Sequence, residues 1–196
     1  TAYSTCMGKG TDLLKKHSTN GTNLFKNVIA SSDAFTDVIA DSNGIIYASD
    51  SKGYIYVYTR DGELIFCLGE KAGNNDVSGL FSSLTTIAVD NNGNIWTADG
   101  KKGFIQSFTP TEYATTIYKA LQEYENGDYT DALKDWNYVL RLNQMSVLAH
   151  NGVAKAYYND EEYDKAMEHF EIAGNRSGYS DAFWEVRNKG IQKDLG

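Results

Sequence analysis

The chain has 196 residues, 41% hydrophobic and 22% charged, with a net charge of −8, a balance that excludes collagen-like and wholly disordered chains. No apolar run approaches the roughly 18 to 20 residues that span a bilayer. The acidity argues against a phosphate-backbone binder, which needs clustered Lys and Arg, so nucleic acid is not an expected partner.

The sequence opens on Thr1 with no charged-then-apolar leader and reads as a mature or excised piece of something longer. Residues 1–110 hold 9 basic and 11 acidic side chains, and residues 111–196 hold 9 and 15. The second region therefore carries most of the negative charge, and its partners are expected to be basic or neutral. Cys6 and Cys67 fit neither a disulfide-dense domain nor a Cys-x-x-Cys motif and read as two buried free thiols.

From the N-terminus to Pro110, the only proline, short Ile, Val, Tyr and Phe runs alternate with Asn20-Gly21, Asn43-Gly44, Asp61-Gly62 and Asn92-Gly93. These pairs supply the positive-φ residues of tight hairpin turns, so antiparallel sheet is predicted. Candidate early strands run from Asp12 to Lys16 and from Asn23 to Ile29. A shift of 49 residues lays Val38–Asp50 on Ile87–Asp99 with Asp, Asn, Gly, Ile and the last Asp in place. The following strands, Gly53–Tyr58 and Gly103–Phe108, align after one residue of slippage. Each unit is strand, turn, strand, turn, strand.

Beyond Pro110 the apolar residues recur at three- and four-residue spacing, which predicts amphipathic helices. Thr109 is expected to cap the first, with Pro110 at the first helical position and Glu112 as capping-box partner. The boundary divides residues 1–109 from 110–196, and so short a junction predicts that the two parts pack together. Gly127-Asp128-Tyr129 with Ala132, Trp136 and Val139 lies 34 residues before Glu161-Glu162-Tyr163 with Ala166, Phe170 and Ala173. Ala120 and Ala154 take the small position of the paired first helices. Ser180 to Leu195 reads as a terminal capping helix, with Trp184 placed to pack on the previous pair.

The first repeat resembles the blade of an NHL-repeat β-propeller, on Gly79-Leu80-Phe81, Ile87-Ala88-Val89-Asp90, Gly93-Asn94-Ile95 and Ile105-Gln106-Ser107-Phe108. The second, with its 34-residue period, resembles tetratricopeptide (TPR) repeats. The resemblance implies an α+β chain of two segregated domains, about two full blades plus part of a third, followed by a TPR-like helical array. Leu84-Thr85 replaces the proline usual before Ile-Ala-Val-Asp, and Phe104 stands where Arg is frequent, so recognition by that Arg is not carried over. Two and a part blades cannot close into a ring. An apolar blade face is therefore expected to be left open, in a fragment of a larger propeller or in an assembly where self-association covers it.

Searching for chemistry yields no catalytic residue, metal site or cofactor. His17, His150 and His169 show no ligand spacing, and Asp90–Asn94 lacks the glycine and twelfth-position Glu of a calcium loop. Gly8-Lys9-Gly10 is too short for a phosphate loop, and Ser82-Ser83 has no nearby His. Asn20-Gly21-Thr22 and Asn175-Arg176-Ser177 meet the glycosylation pattern without deciding anything. Asp50 and Asp99 end equivalent strands, where lactonase- or lyase-like propellers place metal ligands; as members of the blade pattern they read first as turn supports.

What remains is recognition surface. The TPR resemblance maps exposed groove positions onto Ile117, Leu121 and Tyr124 in one repeat and Asn151, Lys155 and Tyr158 in the next. Ile117 and Leu121 replace the residues of a carboxylate clamp. Tyr124, Asn151, Lys155 and Tyr158 are the candidate binding residues for a protein or peptide partner; the alternative for Tyr124 and Tyr158 is packing between helices. Blades leading into TPR-like helices resemble a group of Firmicute proteins that carry a multi-span membrane domain after the helices. That implies an extracytoplasmic scaffold or interaction module, linked to the membrane only through segments absent from this chain. A propeller enzyme fragment and a carbohydrate-binding propeller are the alternatives.

Overall fold

The computed structural model describes residues 2–5, 14–25, 29, 35–73 and 77–195. The chain has mixed α and β structure and divides into two compact units, Thr1–Thr109 and Pro110–Gly196. Cys6, Gly8-Lys9-Gly10 and residues 12, 13 and 26–28 lie outside the described residues.

In the first unit β1 (Ala2–Thr5) pairs antiparallel with β2 (Leu14–His17). A four-stranded antiparallel sheet follows in simple order from β3 (Phe35–Ala40) through β4 (Ile46–Asp50) and β5 (Ile55–Tyr58) to β6 (Leu64–Leu68). The short strands β7 (Glu70–Lys71) and β8 (Leu80–Phe81) pair in parallel. A three-stranded antiparallel sheet of β9 (Leu84–Val89), β10 (Ile95–Asp99) and β11 (Phe104–Phe108) completes the unit. Among the described residues no sheet closes into a barrel or propeller. Of the segment expected as a strand over 23–29, Asn23 and Ile29 make only isolated bridges, to His17 and Leu14.

The sequence repeat becomes an identity of pairing. Val38, Ile39 and Ala40 face Ala48, Tyr47 and Ile46; their counterparts Ile87, Ala88 and Val89 face Thr97, Trp96 and Ile95. The outer pairs agree too: Tyr47 lies opposite Val57 and Trp96 opposite Ser107. A one-residue slip would turn every side chain to the wrong face, so matching registers fix matching faces. On the central sheet Ile46, Ala48 and Tyr58 pack with Leu14, Phe25, Ile29 and Phe35. The alternate residues Tyr47, Ser49, Ile55 and Val57 are fully buried on the opposite side, where β9 lies against β3 and β4. Asp37 joins these sheets, its carboxylate accepting from Thr86 Oγ1 at 2.6 Å and the Ile87 N–H at 3.1 Å.

The hairpin turns differ from the two-residue kind that Asn-Gly suggests. Only the glycine is left-handed, with φ of 83° at Gly44 and 78° at Gly93; among the described residues Glu161 alone is a non-glycine with positive φ. The Gly44 N–H donates to Asp41 O at 3.1 Å, while the Asp41 N–H donates to Ile45 O at 3.0 Å. This is a type I turn followed by a left-handed glycine. The Asp41 side chain accepts from the Asn43 and Ile45 N–H groups, and Asp90 repeats the arrangement with Asn92 and Asn94. An aspartate at the first turn position is thus the part that the dipeptide rule overlooks.

The second unit is α1 (Glu112–Asn126), α2 (Tyr129–Leu142), α3 (Val147–Asn159), α4 (Tyr163–Ile172) and α5 (Arg176–Leu195). Each helix packs on the next, and α3 also touches α1 and α5. The odd-numbered helices therefore share one layer. Ala120, Ala154, Ala132 and Ala166 are fully buried, and Trp136, Val139 and Phe170 are buried as well, Phe170 among Ala154, Ala166 and Ala182. Gly152 lies so close to the Trp136 indole that a Cβ there would overlap the ring.

Two expectations at the helix ends are corrected. The cap of α1 is Thr111, whose hydroxyl accepts from the Ala114 N–H at 3.4 Å. Pro110 precedes it, and the Glu112 carboxylate accepts instead from the Tyr138 hydroxyl at 2.7 Å. Trp184 does not pack inward: it is 50% exposed, while Ala182 is fully buried and Gly178 admits the Phe170 ring.

Candidate functional site

The odd-helix layer carries the same aromatic pair twice. Tyr124 near the end of α1 meets Tyr129 at the start of α2, ring centroids 5.3 Å apart. Thirty-four residues later, Tyr158 near the end of α3 meets Tyr163 of α4, also at 5.3 Å. Each first-helix tyrosine is half-buried, with its ring packed on the tyrosine that opens the next helix. The packing role weighed for Tyr124 and Tyr158 is therefore present, and it fixes the rings in place.

Their polar ends differ. The Tyr124 hydroxyl accepts from Asn159 Nδ2 at 2.9 Å, and the same amide donates to Lys155 O at 2.8 Å. This links α1 to α3. Burial raises the Tyr158 hydroxyl above its ordinary value, and the Glu185 and Asp181 carboxylates of α5 add to the rise. A neutral phenol beside two carboxylates favours an approaching cation. Lys155 is half-buried on the same helix. At the edge of the layer Lys189 of α5 lies 4.5 Å above the Tyr163 ring and 3.0 Å from the Glu161 carboxylate.

Two of the mapped groove positions are not surface. Ile117 is fully buried and Asn151 is only 7% exposed. Asn151 sits on the inner face of α3, where its Oδ1 accepts from Asn175 Nδ2 at 2.7 Å. Asn175 in turn accepts from the Gly178 N–H with its own Oδ1, so its amide joins α3 to the start of α5. Tyr124, Lys155 and Tyr158 remain partly exposed, and Asn151 is a buried strut beneath them.

A histidine pair escaped the sequence reading because its members lie on different helices. His150 Nδ1 and His169 Nδ1 are 3.0 Å apart, and His150 Nε2 is 3.0 Å from Gln144 O. A carbonyl only accepts, so His150 carries its hydrogen on Nε2; its Nδ1 then accepts from the Nδ1–H of His169. Burial lowers the His169 pKa below the usual imidazole value and His150 adds to the fall, with Glu168 opposing. Nineteen residues of separation match no ligand spacing, and only the antiparallel course of α3 and α4 brings the rings together.

In the strand unit the carboxylates considered as metal ligands are engaged in turns. Asp50 Oδ1 accepts from the Lys52 and Tyr54 N–H groups and its Oδ2 from the Tyr56 hydroxyl. Asp99 accepts from the Lys101, Lys102 and Ser82 N–H groups. Burial works to raise its pKa, but these backbone donors outweigh it and hold the group low. Among the described residues no three His, Cys, Asp or Glu side chains converge as a metal site. Cys67, expected to be buried, is exposed on β6, at the edge of its sheet.

No protein-family model and no curated protein matches the chain. Among the described residues no helix is long and apolar enough to cross a membrane.

Proposed function

We propose that the chain is a non-catalytic protein-interaction module, NHL-like blades followed by TPR-like helix hairpins, serving as a scaffold part of a larger extracytoplasmic, membrane-associated protein. The observation that carries the reading is the duplicated tyrosine pair. Tyr124 and Tyr158, 34 residues apart, are held by the same 5.3 Å ring contact on one layer of helices. Two rigid aromatic platforms at repeat spacing suit an extended peptide, because their contact area is already ordered before binding. The identical strand registers of the two sheets and the small residues at the helix crossings support the repeat assignments. The extracytoplasmic setting rests on the resemblance.

The acidic flank of Tyr158 selects the peptide. Asp181 and Glu185 favour a basic side chain over Tyr158, in keeping with the negative charge of this region. The test is to pan a displayed random-peptide library on the full chain, then to measure the winners against Tyr158→Ala and Lys155→Ala. Peptides rich in Lys or Arg are expected, with affinity reduced about tenfold or more by Tyr158→Ala, as for an aromatic anchor. No enrichment, or winners indifferent to both substitutions, overturns the proposal.

A further inference from the structure

Two imidazole nitrogens that face each other offer a metal ion two ligands at once. His150 Nδ1 on α3 and His169 Nδ1 on α4 are 3.0 Å apart. Nitrogens about 2.0 to 2.1 Å from one ion lie about 2.9 Å apart at adjacent corners of a square and about 3.3 Å apart at the corners of a tetrahedron. The observed gap falls between the two, so a shift of a few tenths of an ångström admits either geometry. His150 is already oriented for the task. Its Nε2–H donates to Gln144 O at 3.0 Å, the kind of backing that sets the tautomer and ring plane of a metal-ligating histidine. Tyr157 packs on His169 with ring centroids 5.9 Å apart, which steadies the second ring. Both histidines are half-buried, so an ion reaches them from solvent.

We propose that His150 and His169 form a two-histidine site for a divalent late transition metal, copper(II) ahead of nickel or zinc. Imidazole suits all three ions, and copper(II) heads the affinity series for a given set of donors. In the metal-free chain the hydrogen on His169 Nδ1 fills the gap between the rings. To admit the ion that hydrogen leaves Nδ1 and, by way of solvent, Nε2 takes one up, so that both rings stay neutral and both Nδ1 lone pairs face the metal. The remaining coordination positions go to water, which makes this an open site rather than a closed structural one. The surrounding charge favours a cation. Glu168 acts on the His169 ring, while Lys165, above the Tyr157 ring, is paired with Glu162 at 3.4 Å. This inference does not depend on peptide binding by the helices.

The test titrates copper(II) into the full chain by calorimetry, with Cys6 and Cys67 changed to Ser so that no thiol competes, at about pH 7.5, where imidazole is neutral. One ion per chain is expected, with a rise in melting temperature as the metal concentration grows. His150→Gln and His169→Gln are each expected to weaken binding about tenfold or more, since loss of a ligand costs at least as much as loss of its backing. His17→Gln, in the strand unit, is expected to leave binding unchanged. Absence of binding up to about 1 mM, or binding indifferent to His150→Gln and His169→Gln, overturns the proposal, and so does binding lost with His17→Gln. If circular dichroism shows that a substitution unfolds the helices, proton NMR of the chain with all three histidines decides, because copper(II) broadens the resonances nearest to it. Ring protons of His150 and His169 broadened before those of His17 support the site; His17 broadened first, or all three together, overturns it.

Discussion

His150 and His169 face each other through their Nδ1 atoms at 3.0 Å, and the Gln144 carbonyl beyond His150 settles which ring donates. The pair works with one hydrogen between the two nitrogens. A further proton is accommodated on His169 Nε2, but one on His150 Nδ1 sets two N–H groups against each other.

The sign of the pH effect follows. The folded pKa of His169 is depressed from 6.5, so the unfolded chain binds more protons in the window below that value. The stabilisation is complete above 6.5 and is lost as pH falls through it toward the folded value. The melting temperature of the helical unit, followed by circular dichroism, is expected to drop between about pH 7 and pH 5. In His169→Gln the drop is expected to be smaller; an unchanged slope contradicts the assignment.

Gly152→Ala tests the α2–α3 crossing. The added methyl overlaps the Trp136 indole, whose ring is 1% exposed and has nowhere to go. Overpacking of this kind costs about 1–3 kcal/mol, to be seen as a lower urea midpoint. A neutral or stabilising result shows that the helices part without penalty.

Glu161 occupies, 34 residues on, the place of Gly127: both take the left-handed region, at φ 59° and 86°. A side chain there is strained where glycine is not. Glu161→Gly is expected to stabilise the unit by about 1 kcal/mol, even though it removes the exposed ion pair with Lys189, because such pairs contribute little. Denaturant unfolding decides it.

Asp37→Ala removes the acceptor shared by Thr86 Oγ1 and the Ile87 N–H. Loss of a charge-assisted acceptor between sheets is expected to cost about 1–3 kcal/mol and to speed hydrogen exchange at Ile87 relative to Trp96. Exchange unchanged at Ile87 means that the two sheets are held by apolar contact alone.

Legibility varied with how local each feature is. The repeats were readable because strand register and helix crossings depend on spacing along the chain, as at Ala120 and Ala154. The helix cap was misplaced by two residues because Thr109 and Thr111 offer the same hydroxyl; the extended backbone at Thr111 decides between them. Trp184 faced the wrong way because α5 begins at Arg176 and meets α4 through Gly178 and Ala182. Two residues past Ala182, a helix has turned about 200°. The His150–His169 contact and the Asn175 strut under Asn151 have no sequence spacing to betray them. They exist only once antiparallel helices have packed.

The three Asn-Gly turns of the strand unit have a consequence for how the protein ages. Asparagine before glycine is prone to deamidate, because the following amide nitrogen attacks the side-chain carbonyl and closes a succinimide ring. Here that nitrogen is already committed: the N–H groups of Gly21, Gly44 and Gly93 donate to Ser18 O, Asp41 O and Asp90 O at 3.0, 3.1 and 3.0 Å. The folded chain therefore shelters Asn20, Asn43 and Asn92 from a reaction that the unfolded chain undergoes freely, and conversion to aspartate at these sites records how long a molecule has spent unfolded.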